Sequence, residues 1–366
     1  MLLESIEAEN FRNLNGKLQC GRGLNIITGD NGQGKTNWLE AIYVLATARS
    51  FKTAKLQEAI NFDQDLAIVR GRVRQSEDIV REMQTALQLN SKILSVNGRK
   101  ETVQNYLGQL HAVIFNSDEL GVVRGQPEAR RKFIDNGIVS LHPPFVQVFS
   151  DYSRVIRQKN SLLQTARDGE YSMGKVAELL EPWHNQLTTL AARIHKSRVR
   201  YIERLNEVLE KKLFGREEIA IRYLSSLEGK GDLSDYQALL NERLQLRVQA
   251  EVVAGHSLIG PHRDDLEIQF DGRDLRKYAS AGQQRSALLL LQLANISVYH
   301  ATRGEYPLFL LDDIDAELDY TRIGQLLDYL SDKTQTFVTT SKGSFVEQFG
   351  ARSAVFNIDN GSLKTY

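Results

Sequence analysis

The chain has 366 residues, with 46 basic and 46 acidic side chains and one cysteine, Cys20. Those charges cancel, so bulk charge does not select nucleic acid as a partner and any basic surface must be local. A single cysteine excludes an intramolecular disulfide and argues against a cysteine-rich zinc site; with no secretory core and no apolar run long enough to span a bilayer, a cytoplasmic location is expected.

In chain order, residues 2–8 and 24–28 carry the apolar patterning of strands, and the second runs directly into a glycine-rich string, GDNGQGKT, at 29–36. Trp38, Ile42 and Leu45 then recur at helical spacing, which sets the string between a strand and a helix. Short antiparallel strands are expected from Ala67 to about Phe115, with Asn97-Gly98 as a hairpin turn. A turn at Pro127 precedes a helix, and Pro143 and Pro144 break the chain before a middle segment rich in helix formers. That segment, about 145–213, reads as amphipathic helices interrupted near Gly169 and Pro182. Gly229, Gly231 and Asp232 form a loop between helical stretches, and 236–254 is helical again. A strand at 266–270, a turn at Asp271-Gly272, a helix from Arg285 to Leu293 and a buried strand at 308–311 complete the reading.

The string fits the spacing of a phosphate-binding loop. Gly29, Gly32 and Gly34 let backbone approach phosphate oxygens, Lys35 reaches terminal phosphates, and the Thr36 hydroxyl can hold magnesium. Asp312 and Asp313 emerge from the apolar strand, where Asp312 can hold the metal and Asp313 can orient or deprotonate water. Taken alone, the acidic pair reads equally as a solvated turn or a helix cap. Ser280, Gly282 and Gln283 precede a helix whose amino terminus suits a phosphate approached from the other side; alone, SAGQ could also be a helix cap.

In this order the motifs resemble the RecF family. The resemblance spans almost the whole chain: ENFRN at 9–13, NGQGKTN at 31–37, RRKFID at 130–135, GPHRDDL at 260–266, AGQQR at 281–285 and LLDD at 310–313. It implies an α/β fold, an ABC-type ATPase head with a Rossmann-like core and antiparallel strands, plus an inserted helical arm. The expected division is a first head part at 1–140, an arm at 141–254 and a second head part at 255–366. By resemblance the nucleotide ligands are Gly29, Asp30, Asn31, Gly32, Gln33, Gly34, Lys35, Thr36 and Asn37, with Arg12 close by. Thr36 and Asp312 would hold Mg2+, and Lys35, Asp312 and Asp313 would serve ATP hydrolysis. Ser280, Gly282 and Gln283 would act from the second copy of an ATP-dependent homodimer, with Asp319 and the preceding AEL as the communicating loop. The family also implies slow, DNA-stimulated hydrolysis, binding to double-stranded or gapped DNA, and work with RecO and RecR in loading RecA during gap repair. Departures are Ala316 where serine is common, Ser117 where proline is common, and Thr339-Thr340-Ser341 without a switch histidine.

Two basic stretches are candidates for DNA: Arg193, Lys196, Arg198, Arg200 and Arg204 with Lys211 and Lys212, and Arg124, Arg130, Arg131 and Lys132. The bland alternative is a solvated helix face neutralised by Glu203, Glu207 and Glu210. His262 and Arg263 read as members of an internal polar network. The competing functional readings are a nucleotide hydrolase serving another partner and a nucleotide-driven assembly module acting through a protein without DNA specificity.

Overall fold

The computed structural model describes residues 1–75, 79–169, 171–211 and 217–364. Strands β1 (Leu2–Phe11) and β2 (Leu14–Gln19) form a hairpin, and β3 (Leu24–Thr28) enters the glycine-rich loop ahead of α1 (Lys35–Thr47). Then come β4 (Leu66–Arg74), β5 (Val80–Gln88), β6 (Ser91–Val96) and β7 (Arg99–Glu101). Asn97 and Gly98 turn between the last two at φ 50° and 74°, the left-handed pair that matches strand twist in a two-residue hairpin. A helical turn, α2 (Val103–Tyr106), leads to β8 (Ala112–Phe115), α3 (Gly121–Arg124) and α4 (Pro127–Leu141). Pro127 opens α4 at a position where its missing N–H is harmless.

The long helices α5 (Phe145–Arg167) and α6 (Met173–Leu209) pack on each other and are followed by β9 (Ile219–Leu224), α7 (Tyr236–Leu246) and α8 (Val248–Ala254). The chain then forms β10 (Asp265–Phe270), β11 (Arg273–Asp274), α9 (Leu275–Tyr278), α10 (Ala281–Arg303), β12 (Leu308–Leu311) and α11 (Ile314–Glu317). It ends in α12 (Tyr320–Leu330), β13 (Thr336–Thr340), α13 (Gly343–Phe349), β14 (Ala354–Asp359) and β15 (Ser362–Leu363).

The central sheet has the order β15-β14-β3-β13-β12-β8 and is parallel from β14 to β8. Strands β8, β12 and β13 are buried at every position, as expected where both faces of a parallel sheet are covered. Their carboxyl ends therefore lie along one edge. A second sheet, β2-β1-β4-β5-β6-β7, is antiparallel. Helix α1 lies between the two sheets, and Trp38, Ile42 and Leu45 join Leu3, Ile6, Val69 and Phe337 in one core. A third sheet, β11-β10-β9, packs with α4, α6 and α10 in another.

Four expectations fail. Ala112–Phe115, expected among the antiparallel strands, is β8, which pairs parallel with β12 in the central sheet. Helix α6 does not break at Pro182. The proline lies on the exposed side, so the carbonyl freed four residues earlier faces water, while Val176, Leu180, His184, Leu187 and Ala191 dock along a continuous buried stripe. The segment before Gly229 is not helix followed by loop: Ile219–Leu224 is a strand, paired antiparallel with β10 from Ile219↔Phe270 to Leu224↔Asp265. Residues 236–254 form two helices divided at Arg247.

Candidate nucleotide-binding site

The site lies on the edge where the parallel strands end. Because β3, β13, β12 and β8 are neighbours in register, the phosphate loop after β3, the threonines closing β13, the acids after β12 and Asn116 after β8 meet there. Gly29 has φ 149° and Gly34 has φ 102°, and a Cβ on Gly34 would come within 2.8 Å of Asn13 Oδ1. These positions need glycine for both conformation and space. Lys35 is buried, and its Nζ turns back into the loop to donate to the carbonyls of Gly29 and Asp30, each at 2.9 Å.

The Thr36 hydroxyl donates to Asp312 Oδ1 at 2.8 Å, and the Thr339 hydroxyl donates to the same oxygen at 2.7 Å. The N–H of Asp313 donates to Thr339 Oγ1 at 2.8 Å. Asp313 has φ 46°, a left-handed conformation unfavourable for a side chain, and this bond helps hold it there. Burial raises the Asp313 carboxyl above its usual range, the adjacent Asp312 charge adds to the rise, and Lys35 opposes it. One hydroxyl and one carboxylate thus converge as hard oxygen donors, a pairing that fits Mg2+ better than a softer metal.

The loop is braced from outside. Gln33 accepts from Asn360 N through its side chain at 2.6 Å and from Gly361 N through its carbonyl at 2.7 Å. Trp38 Nε1 donates to the Gly361 carbonyl at 3.1 Å. Asn37 Nδ2 donates to Asn13, and Asn37 Oδ1 accepts from Lys52. Asp30, Asn31 and Gly32 are exposed. Arg12 pairs with Glu40, Nε and Nη2 lying 3.0 and 2.9 Å from its two oxygens, and it donates to the Glu58 carbonyl. Its guanidinium is therefore committed to a buried carboxylate on α1.

Ser280, Gly282 and Gln283 are exposed at the amino end of α10. Ser280 and Gln283 cap that end reciprocally, Gln283 N donating to Ser280 Oγ and Ser280 N to Gln283 Oε1. Among the described residues no hydrogen bond links them to the phosphate loop. Within the carboxy-terminal part, Arg285 pairs with Glu317 of α11 at 2.6 Å, and Lys342 donates to the Asp315 carbonyl at 3.0 Å. Asp319 caps α12 by accepting from Arg322 N.

Sequence reasoning missed Thr339 as a structural partner of both acids, and it missed Asn116, Lys52 and the 360–361 turn. A usable signal existed for the first two: Thr339 lies near the end of the buried run TFVTT and Asn116 directly follows AVIF, runs of the kind that lie parallel to the acid-bearing strand.

One basic candidate is reduced: Arg124 and Lys132 stay exposed, Lys132 beside Glu128 at 2.9 Å, but its other two members are tied into the fold. Arg130 is fully buried and bidentate with Asp265, at 2.6 and 3.0 Å, while Arg131 donates to the Asp264 carbonyl at 2.8 Å. In the other stretch, Arg198 is buried and bidentate with Asp135, both bonds at 2.8 Å, and Lys212 lies outside the described residues. These arginines stitch α4 and α6 to the GPHRDD segment, where His262 Nδ1 lies 2.7 Å from the Tyr152 hydroxyl.

A family model described as the RecF/RecN/SMC N terminal domain matches residues 2–364. A DNA replication and repair protein RecF from Halothermothrix orenii is 34% identical over 378 residues, covering 100% of this chain and 99% of the relative. The chain belongs to the RecF family. The Bacillus subtilis RecF protein is 33% identical over 372 residues, covering 99% of this chain and 100% of that protein. Two solved structures, described as the recombination mediator protein RecF with ATPrS and with ATP in the RecFOR pathway, each superpose with TM-score 0.89. They are 32% and 31% identical, cover 99% and 100% of this chain, and are each covered to 97%. The architecture is thus the RecF one: an α/β ABC-type ATPase head with antiparallel strands and helical insertions. No helix among the described residues is long and apolar enough to cross a membrane.

Proposed function

We propose that this RecF-family chain, an ATP-hydrolysing DNA-repair protein, uses ATP to join two copies around double-stranded or gapped DNA and to assist RecO and RecR in loading RecA. The observation that carries the reading is the hydrogen-bonded set Thr36, Asp312, Thr339 and the Asp313 N–H, facing the lysine-filled loop. Lys35 would exchange its two carbonyl partners for phosphate oxygens. Thr36 and Asp312 would hold magnesium, which supplies charge neutralisation on the phosphates. Asp313, its carboxylate less acidic than usual, would orient water and accept its proton. The free, reciprocally capped end of α10 would meet the terminal phosphate of the other copy through Ser280, Gly282 and Gln283.

Under this reading residues 1–140 and 255–366 form the head and 141–254 the arm. RecF-titled relatives described as recombination mediators and bound to ATP or ATPrS support it, and a nucleoid-associated cytoplasmic pool follows from it. The site is tested by mixing two inactive variants, Lys35→Ala and Ser280→Arg. If sites form between copies, the mixture contains dimers with one complete site, and part of the hydrolysis returns. A mixture as inactive as either parent, with dimers shown to form, contradicts the shared site.

A further inference from the structure

The outer face of α6 carries cations that the nucleotide site does not use. Arg193, Lys196, Arg200 and Arg204 are exposed, and none forms an ion pair among the described residues. Their spacings of three and four residues hold them on one stripe, about 16 Å long at 1.5 Å per residue. Arg193 lies 5.9 Å from the Phe145 ring centre, and Arg204 Nη1 lies 3.5 Å from Thr302 Oγ1. The latter contact carries the stripe onto the end of α10, where Arg303 is exposed. His142 senses both: burial lowers its proton affinity, and Arg204 and then Arg303 lower it further. Glu203 and Glu207 are exposed alongside, yet neither pairs with the stripe.

We infer that this band, from Arg193 to Arg204 and across to Arg303, is a track for the phosphates of duplex DNA; it rests on the DNA-binding reading above. The exposed large apolar side chains lie elsewhere on the molecule, so the band lacks the anchor that a protein interface would be expected to supply. Long, unpaired cations at regular spacing suit sequence-independent backbone contact. The band also lies away from the nucleotide edge. Arg303 precedes β12, whose first N–H bonds the His111 carbonyl at the start of β8, so this is the amino edge of the parallel sheet. DNA here leaves the ATP edge free.

The test compares wild type, K196Q/R200Q/R204Q and R303E for duplex binding with magnesium-ATP across a salt series. Folding is checked by thermal unfolding and the nucleotide site by hydrolysis without DNA. The triple variant is expected to bind roughly tenfold or more weakly at near-physiological salt, with a logarithmic salt slope shallower by about 2 to 3. R303E is expected to weaken binding, and DNA-free hydrolysis to be unchanged in both. Wild-type affinity and slope in both variants would overturn the track, as would normal DNA binding coupled with loss of a protein partner. Absence of DNA binding by wild type itself would overturn the parent reading, so the two failures are distinguishable.

Discussion

Replacing Thr339 by valine removes one hydroxyl with little change in shape, and the structure assigns that hydroxyl two bonds at the heart of the site. The bond donated to the Asp312 carboxylate contributes about 1.5–3 kcal/mol, and the part-buried Asp313 N–H bond contributes about 1 kcal/mol. Asp312 keeps its bond from Thr36. Repacking offsets part of the loss, so the expected destabilisation is about 2–4 kcal/mol, read as a lower urea midpoint at unchanged slope. Asp313 is freed from a left-handed conformation, and displacement of a positioned acid should slow ATP turnover roughly a hundredfold. ATP affinity should change little, because Lys35 and the glycine loop are untouched. Thr339→Ser retains the hydroxyl and should recover most of the turnover. A valine variant that hydrolyses ATP and unfolds like wild type would refute the role given to these bonds.

Lys159 and Glu251 form an ion pair at 2.6 Å between α5 and α8, both side chains fully buried. Glu251→Ala should destabilise by about 3–5 kcal/mol by stranding the ammonium, and K159M/E251Q should recover most of it, both read by denaturant titration. A Cβ at Gly361 would strike the Asn13 carbonyl, so Gly361→Val should push the last hairpin off the phosphate loop. Nucleotide binding measured by calorimetry should then weaken more than thermal stability falls. Acid should also destabilise the fold. Burial holds His111 near 4 and His184 and His262 near 3, below the ordinary value of 6.5. The unfolded chain therefore binds more protons, and stability present above pH 6.5 is lost as pH falls toward those values. At pH 5 each imidazole accounts for up to about 2 kcal/mol. Glu119, raised to about 7 mainly by burial, works in the opposite sense between 4.5 and 7. Glu119→Gln should make the acid loss steeper, as followed by urea unfolding at several pH values.

The phosphate loop and acidic pair were legible because their chemistry is local: glycines, lysine and threonine follow one strand, and two aspartates follow another. What the sequence could not display was pairing across distance. Strand β9 finds its partner only 41 to 51 residues later in β10, with register Leu224↔Asp265 and Ile219↔Phe270, and its short Ile219-Ile221 alternation sits beside loops. Arg130 and Arg198 look like surface cations until folding brings them against Asp265 and Asp135. Pro182 is tolerated because a stripe on the other face of α6 is buried, which local propensity does not record. Thr339 is similar: its partners come from β12, joined only by the parallel register.

The most direct measurement is a titration of gapped, duplex and single-stranded DNA with and without magnesium-ATP, with the Lys35→Ala variant as control. The account predicts tighter binding to gapped or duplex DNA when ATP is present, and loss of that gain in the variant. DNA affinities that ignore ATP on every substrate would contradict it and favour a nucleotide-driven assembly acting through a protein partner.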